Sequence, residues 1–222
     1  MYDAVPDFGW LYDQVPAYAA RPDVAFYLDE AARVPGRATL LQCDIRDLAI
    51  PATATAKTGP NHREGFALAM APFRILQHLI TTTDQLRCLA SIRRQLAANG
   101  RFVVDVFNPN FAAMVTDRSA EAEDTPEFEL PDGRYFRRTV RVLRVRWTDQ
   151  VSDVELIYYL RRGTAVERVV QRFEMRWYLV AELEHLLARA GFALESVCGD
   201  FARAPLEDAS PEIVMVASVQ PG

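Results

Sequence analysis

No two glycines in this chain are spaced as GxG. The ten stand at positions 9, 36, 59, 65, 100, 133, 163, 191, 199 and 222. No glycine-rich turn of the usual form is therefore available to bring backbone amides close to a phosphate or nucleotide. GxSxG, the P-loop and HExxH are also lacking, and His62, His78 and His185 show no metal-ligand spacing. These absences exclude the familiar signatures of serine hydrolases, nucleoside triphosphatases and zinc peptidases. Lysine is almost missing: Lys57 stands alone against 24 arginines. Arginine forks suit phosphate, but codon bias in a GC-rich genome gives the same excess, and the spread of arginines along the chain favours that reading. Cys43, Cys88 and Cys198 are an odd number without CxxC, which predicts reduced, buried thiols in a cytoplasmic protein. No stretch approaches the roughly 18 apolar residues of a membrane span. The N-terminal MYDAVPDFGWLYDQ lacks the basic start and apolar run of a secretory signal.

What is present suits a globular domain. The 222 residues are half apolar and a quarter charged, enough to bury one large core. A net charge of −5 argues against a general nucleic-acid binder. DVAFYLDEAAR (23–33) places Val24, Leu28 and Ala31 or Ala32 at helical spacing, and Pro35-Gly36 stops it. TLLQCD (39–44) and FALAMAPF (66–73) read as short buried strands, joined by a Thr-, Ala- and Pro-rich loop. A helix follows, with Thr82 and Gln85 as a capping box, Leu86, Leu89, Ile92 and Leu96 on one face, and Asn99-Gly100 closing it. RFVVDVFNP (101–109) is a third strand, apolar apart from Asp105. Strand, crossover helix and strand form the unit of a parallel sheet. Residues 111–133 read as an irregular acidic connection. Three β-rich runs after it (YFRRTVRVLRVRWTD, VELIYYLRRGT and VERVVQRFEMRWY) predict an antiparallel meander. LVAELEHLLARAGF and the strands ALESVCG and EIVMVASV complete the chain.

In order and wording these pieces resemble the class I S-adenosylmethionine (SAM)-dependent methyltransferases, in particular small-molecule enzymes similar to sugar-amine N-methyltransferases. LLQCDIRDL, FALAMAPFRILQHL, LRCLASIRRQLAANGRFVVDVFNPN and EMRWYLVAELEHLLARAGF with SPEIVMVASV carry the likeness. YDQVPAYAARPDVAFYLDEA resembles the family's N-terminal cap. The resemblance implies a Rossmann-like, mostly parallel sheet with helices on both faces, plus the three-stranded meander. The implied divisions are a cap and core over 1–133, a lid or dimer face over 134–178, and the closing helix and strands over 179–222. In the family, strand one with its glycine loop, and strand two ending in a ribose-binding acid, precede the third strand. Here that block is missing between about Gly36 and Arg37. Its loss would bare the edge of FALAMAPF, and TLLQCD is expected to pair in parallel with it.

The resemblance also assigns residues. Asp44 would accept from the adenine amino group with Ile45 against the ring, although an acid capping the next turn explains Asp44 as well. Ala71 and Phe73 would lie near the methionine part of SAM, with Tyr12 and Asp13 in the closing cap. Arg74, Gln77 and Asn108 would face the substrate. His78 would take a proton from the acceptor; a structural histidine is the alternative. The arginines at 134, 137, 138, 141, 144 and 146 face acids at 149, 153, 155, 167 and 174, so cross-strand pairing accounts for them without RNA. The expected function is methyl transfer from SAM to a small amine- or hydroxyl-bearing acceptor, in a possible homodimer with no nucleic acid or membrane partner. The rival is a degenerate methyltransferase-fold protein that binds no SAM and acts as an interaction or dimerisation partner.

Overall fold

A computed structural model describes residues 8–19, 21–34, 44–48, 50 and 65–220. The strand expected at TLLQCD, its pairing with FALAMAPF, the break near Gly36, and Cys43 and His62 all lie outside the described residues. In chain order the helices are α1 (Phe8–Gln14), α2 (Pro16–Ala19), α3 (Pro22–Ala32), α4 (Thr82–Gln95), α5 (Phe111–Met114) and α6 (Val180–Arg189). The strands are β1 (Phe66–Ala71), β2 (Leu96–Phe107), β3 (Ala122–Glu129), β4 (Tyr135–Arg146), β5 (Val151–Arg162), β6 (Ala165–Arg176), β7 (Phe192–Cys198) and β8 (Glu212–Val219). The described residues fall into two compact units. One is drawn from Met1–Arg21 and Asn110–Arg176, the other from Pro22–Pro109 and Trp177–Gly222.

The second unit is a mixed sheet in the order β1-β2-β8-β7. β1 and β2 are parallel, and β8 runs antiparallel to both its neighbours, so β8 alone is reversed. Alternation along the strands divides the core between two faces. Phe102, Val104 and Val106 of β2, with Ile213, Met215 and Ala217 of β8, pack with Leu89 and Ile92 of α4 and Leu183, Leu186 and Leu187 of α6. Val103, Val214 and Val216 point the other way, against Phe26 and Tyr27 of α3. Gly65 and Gly100 let β1 enter beside the α4–β2 connection: a Cβ on Gly65 would meet Ala97 N at 2.6 Å, and one on Gly100 would meet Phe66 O at 2.9 Å.

Two helices differ from what the sequence pattern predicts. The buried face of α3 carries Asp23, Phe26, Tyr27 and Glu30, while Val24 and Leu28 are exposed. The aromatic pair offers more apolar area than the two aliphatics, and Glu30 is matched by Arg101 at 2.8 Å and by Arg203. α4 is capped one residue earlier than expected. Thr81 Oγ1 accepts from Asp84 N at 3.0 Å, while the buried Gln85 amide donates to Leu79 O at 2.8 Å. The helix also ends at Gln95, four residues before Asn99-Gly100.

The first unit is an antiparallel sheet of four strands, β3-β4-β5-β6, not three. The added strand lies in the segment that reads as an irregular connection. Its sequence, AEDTPEFE, has little β propensity, and Pro126 is tolerated because β3 is an edge strand. Pairing with β4 holds it through Arg138–Asp124 at 2.5 Å and the Phe128–Phe136 ring contact at 5.4 Å. The predicted charge pairing across the strands is present as Arg141–Glu155 at 2.6 Å, Arg146–Asp153 at 3.1 Å and Arg146–Glu174. The sequence-drawn boundaries at 133/134 and 178/179 also differ from these units. Leu11 and Val15 of α1 and its following turn bury against Leu130, Phe136 and Tyr158, which places the N-terminal helices with the antiparallel sheet. Cys88 is buried and Cys198 half-buried, and both are free thiols. Burial pushes the Cys88 thiol up to about 12.

Candidate functional site

In α/β sheets of this kind ligands sit beyond the carboxyl ends of the parallel strands. In the second unit those ends are Ala71 of β1 and Phe107 of β2, with Glu212 opposite Phe107 at the start of β8. The chain leaves β1 through Pro72 into a tight reversal. Phe73 and Arg74 both take left-handed backbone conformations, with φ of 60° and 61°. Two consecutive non-glycine residues in that region are strained, so something must hold them. Asp105 does so. Its buried carboxylate accepts from Phe73 N at 2.8 Å and Arg74 N at 2.9 Å, and a third bond comes from the Tyr27 hydroxyl.

Burial pushes the Asp105 carboxyl above its ordinary range, against the lowering effect of those three bonds. Glu212 is raised for the same first reason, burial, despite its ion pair with Arg74. The Arg74 guanidinium also stands 5.7 Å from the centre of the Phe107 ring. Asp23 is buried on the same helix as Tyr27 and acts electrostatically on both Tyr27 and Glu212. Glu212 therefore pairs with the Arg74 guanidinium, and Asp105 acts on it electrostatically, at this end of the sheet.

The sequence-assigned residues take different places. Ala71 is buried at the end of β1, and Phe73 is 41% exposed at the tip of the reversal. Arg74 is half-buried and caps the 3-10 turn Ile75–His78, on which His78 is also half-buried. Gln77 is buried, and its amide oxygen accepts from Phe107 N at 3.0 Å. It braces the end of β2. The Asn108 amide donates to Ser210 O at 3.0 Å and Asp208 O at 3.3 Å, tying the strand end to the loop before β8. Asp44 caps the short turn Ile45–Asp47, and Arg46 grips both of its oxygens, at 2.9 Å and 2.5 Å. Those bonds hold the Asp44 carboxyl down to about 2. Ile45 packs against the main core. Tyr12 belongs to the first unit, where it stacks on Tyr18 at 4.2 Å.

Asp23, Tyr27, Asp105 and Glu212 are the residues of this cluster that no functional assignment from the sequence included. A lone acid inside RFVVDVF was the available signal for Asp105, since a charge within a buried strand needs a partner. Nothing local marks Tyr27. Among the described residues no group of three or more His, Cys, Asp or Glu could hold a metal ion.

No family description matches the sequence, and no curated protein matches it. Solved structures do match the fold. A SAM-dependent methyltransferase from Clostridium acetobutylicum ATCC 824 superposes with a TM-score of 0.61 at 14% identity, over 90% of this chain and 71% of that one. The CcbJ methyltransferase from Streptomyces caelestis gives 0.57 at 19% identity, over 81% and 62%. The sugar N-methyltransferase KedS8 from Streptoalloteichus sp ATCC 53650 gives 0.58 at 18% identity, over the same shares. The chain thus spans 62% of the length of these last two enzymes. Its fold is that of the class I SAM-dependent methyltransferases.

Proposed function

We propose that this chain is, by lineage, a SAM-dependent methyltransferase acting on a small amine- or hydroxyl-bearing acceptor. The observation that carries the reading is the strained Phe73–Arg74 reversal at the end of β1, pinned by Asp105. Backbone strain of this kind gathers at ligand sites and persists only where the surroundings over-determine it. Two acids, Asp105 and Glu212, beside one guanidinium also suit a ligand carrying positive charge, as the sulfonium of SAM does.

The residues fit SAM in part. Ala71, Phe73 and the pinned reversal suit its methionine end. On the adenine side both Asp44 oxygens are engaged by Arg46, and the sequence supplies no GxG turn. SAM would supply the methyl group. The chain's own part would be to orient the acceptor at the strand ends and to take its proton at the imidazole of His78. The Asp44–Arg46 pair and the missing GxG favour a second reading, in which the fold persists as an interaction or dimerisation partner without SAM.

Calorimetric titration with SAM and with its demethylated product separates the two. Saturable binding is expected, with a stabilisation of about 2.7 kcal/mol at 100 times Kd. A cooperatively melting chain that takes up neither ligand at millimolar concentration would leave the second reading.

A further inference from the structure

A groove of about 350 Å³ lies wholly within the four-stranded unit, between the segment after α5 and the far end of β4. Two features of the chain create it. Val142 N donates to Arg118 O at 2.9 Å, which tethers the segment to β4. Leu143 is then the extra residue of a bulge: Val142 faces Val154 and Arg144 faces Asp153, with nothing opposite Leu143. Bulges re-aim side chains, and Leu143 is exposed here. Val115 at 71% exposure and Trp147 at 46% line the groove with it.

Most arginines of this unit are already paired, and Arg137 lies against the Tyr159 ring at 4.5 Å. Arg138, Arg141, Arg146, Arg161, Arg168 and Arg172 each have a carboxylate partner. A second groove, beside Asp153, Arg172 and Glu174, is lined by charges already paired in this way. Arg118 and Arg144, both exposed, have no carboxylate within ion-pair distance among the described residues. The natural partner of Arg144 is Asp153, its cross-strand neighbour, but Asp153 pairs with Arg146 at 3.1 Å. The one acid lining the groove, Asp117, accepts from Ser119 N at 2.9 Å. Two free guanidinium forks thus stand beside an exposed indole and two aliphatic side chains.

We infer that this groove binds a small aromatic oxyanion. Arg118 and Arg144 would hold the anionic head, while Trp147 and Leu143 would receive the ring. The inference does not rest on the methyltransferase reading, because every residue it uses lies in the other unit.

The test is calorimetric titration of the full chain at low salt with 1-naphthoate, 1-naphthyl phosphate and the neutral 1-naphthalenemethanol. Saturable one-to-one binding of at least one anion is expected, with none of the alcohol. The preferred head group then distinguishes a carboxylate from a phosphate ligand. Arg118→Gln and Arg144→Gln should each weaken binding on the order of tenfold, and Trp147→Leu should weaken it as well. Arg162→Gln, an exposed arginine outside the groove, should leave it unchanged. Thermal melts of the variants are expected to match the parent, since the substituted side chains are exposed. Failure of both anions to saturate at millimolar concentration would overturn the inference. So would equal binding of the alcohol, or Arg118→Gln and Arg144→Gln variants that bind like the parent.

Discussion

The Tyr27 hydroxyl on α3 donates to the Asp105 carboxylate inside β2, and that same carboxylate receives the backbone N–H groups of Phe73 and Arg74. One buried acid therefore ties a helix, a strand and a strained reversal together. Asp105→Ala should leave two backbone donors without their acceptor, at roughly 1–3 kcal/mol each if water cannot replace it. We expect a total loss of about 2–4 kcal/mol, read from urea unfolding at unchanged m-value. Tyr27→Phe should cost about 1 kcal/mol, since the carboxylate keeps its two backbone donors.

The left-handed backbone at Phe73 inverts the usual order of substitutions. At an ordinary half-exposed site valine would replace phenylalanine better than glycine does. Here a β-branched side chain at φ of 60° is strained, and glycine is not. Phe73→Val should be less stable than Phe73→Gly by about 1 kcal/mol or more. Equal stabilities would show that the reversal relaxes once the ring is gone.

Glu30 is fully buried, with Arg101 and Arg203 both bonded to it. Its removal leaves two guanidinium groups facing a desolvated gap. Both retain partial access to water, so the expected cost of Glu30→Ala lies near the lower end for a broken buried pair, about 3 kcal/mol. Arg101→Ala should cost less, because Arg203 stays with Glu30. A chemical denaturation series on the two variants checks the ranking.

The first unit should weaken in acid. Glu121 accepts from Tyr159, Thr139 and Arg168, led by the Tyr159 hydroxyl at 2.6 Å, and its carboxyl falls from the ordinary 4.5 to about 2. A carboxyl lowered on folding contributes stability above its unfolded value and loses it as pH falls through the folded one. That contribution should disappear between pH 4.5 and about 2. Asp105 and Glu212 have the opposite sign. Burial raises both, so the stability linked to them is present at low pH and is lost as pH rises through their folded values. Amide exchange across pH 2–7 should show β4–β6 opening on acidification before β1 and β2, and Glu121→Gln should flatten the acid slope of the sheet.

Much was legible along the chain because it is local. The apolar runs of β1 and of the later part of β2, the periodicity of α6 and the three arginine-rich strands each carry their own signal. The acids spaced along β5 announced their partners in β4, because antiparallel register brings such residues opposite one another, and Glu174 of β6 reaches Arg146 across β5. β3 had no such signal, since Asp124, Thr125 and Phe128 become strand residues only against Arg138 and Phe136. The buried face of α3 was equally hidden: whether Val24 or Phe26 points inward depends on which strand the helix meets.

The candidate site divides in the same way. By itself the sequence determined the strand ends, the Ala71–His78 segment that leaves one of them, and the lack of a GxG turn, because chain order and residue type fix these. Only the tertiary structure decided which polar groups remain open to a ligand. It gave Asp44 to Arg46, Gln77 to Phe107 N and Asn108 to the loop before β8, and it made Asp105 the anchor of the reversal. The reason is physical. A polar side chain's use depends on the donors and acceptors that folding brings to it, and those lie from 2 to more than 100 positions away in sequence.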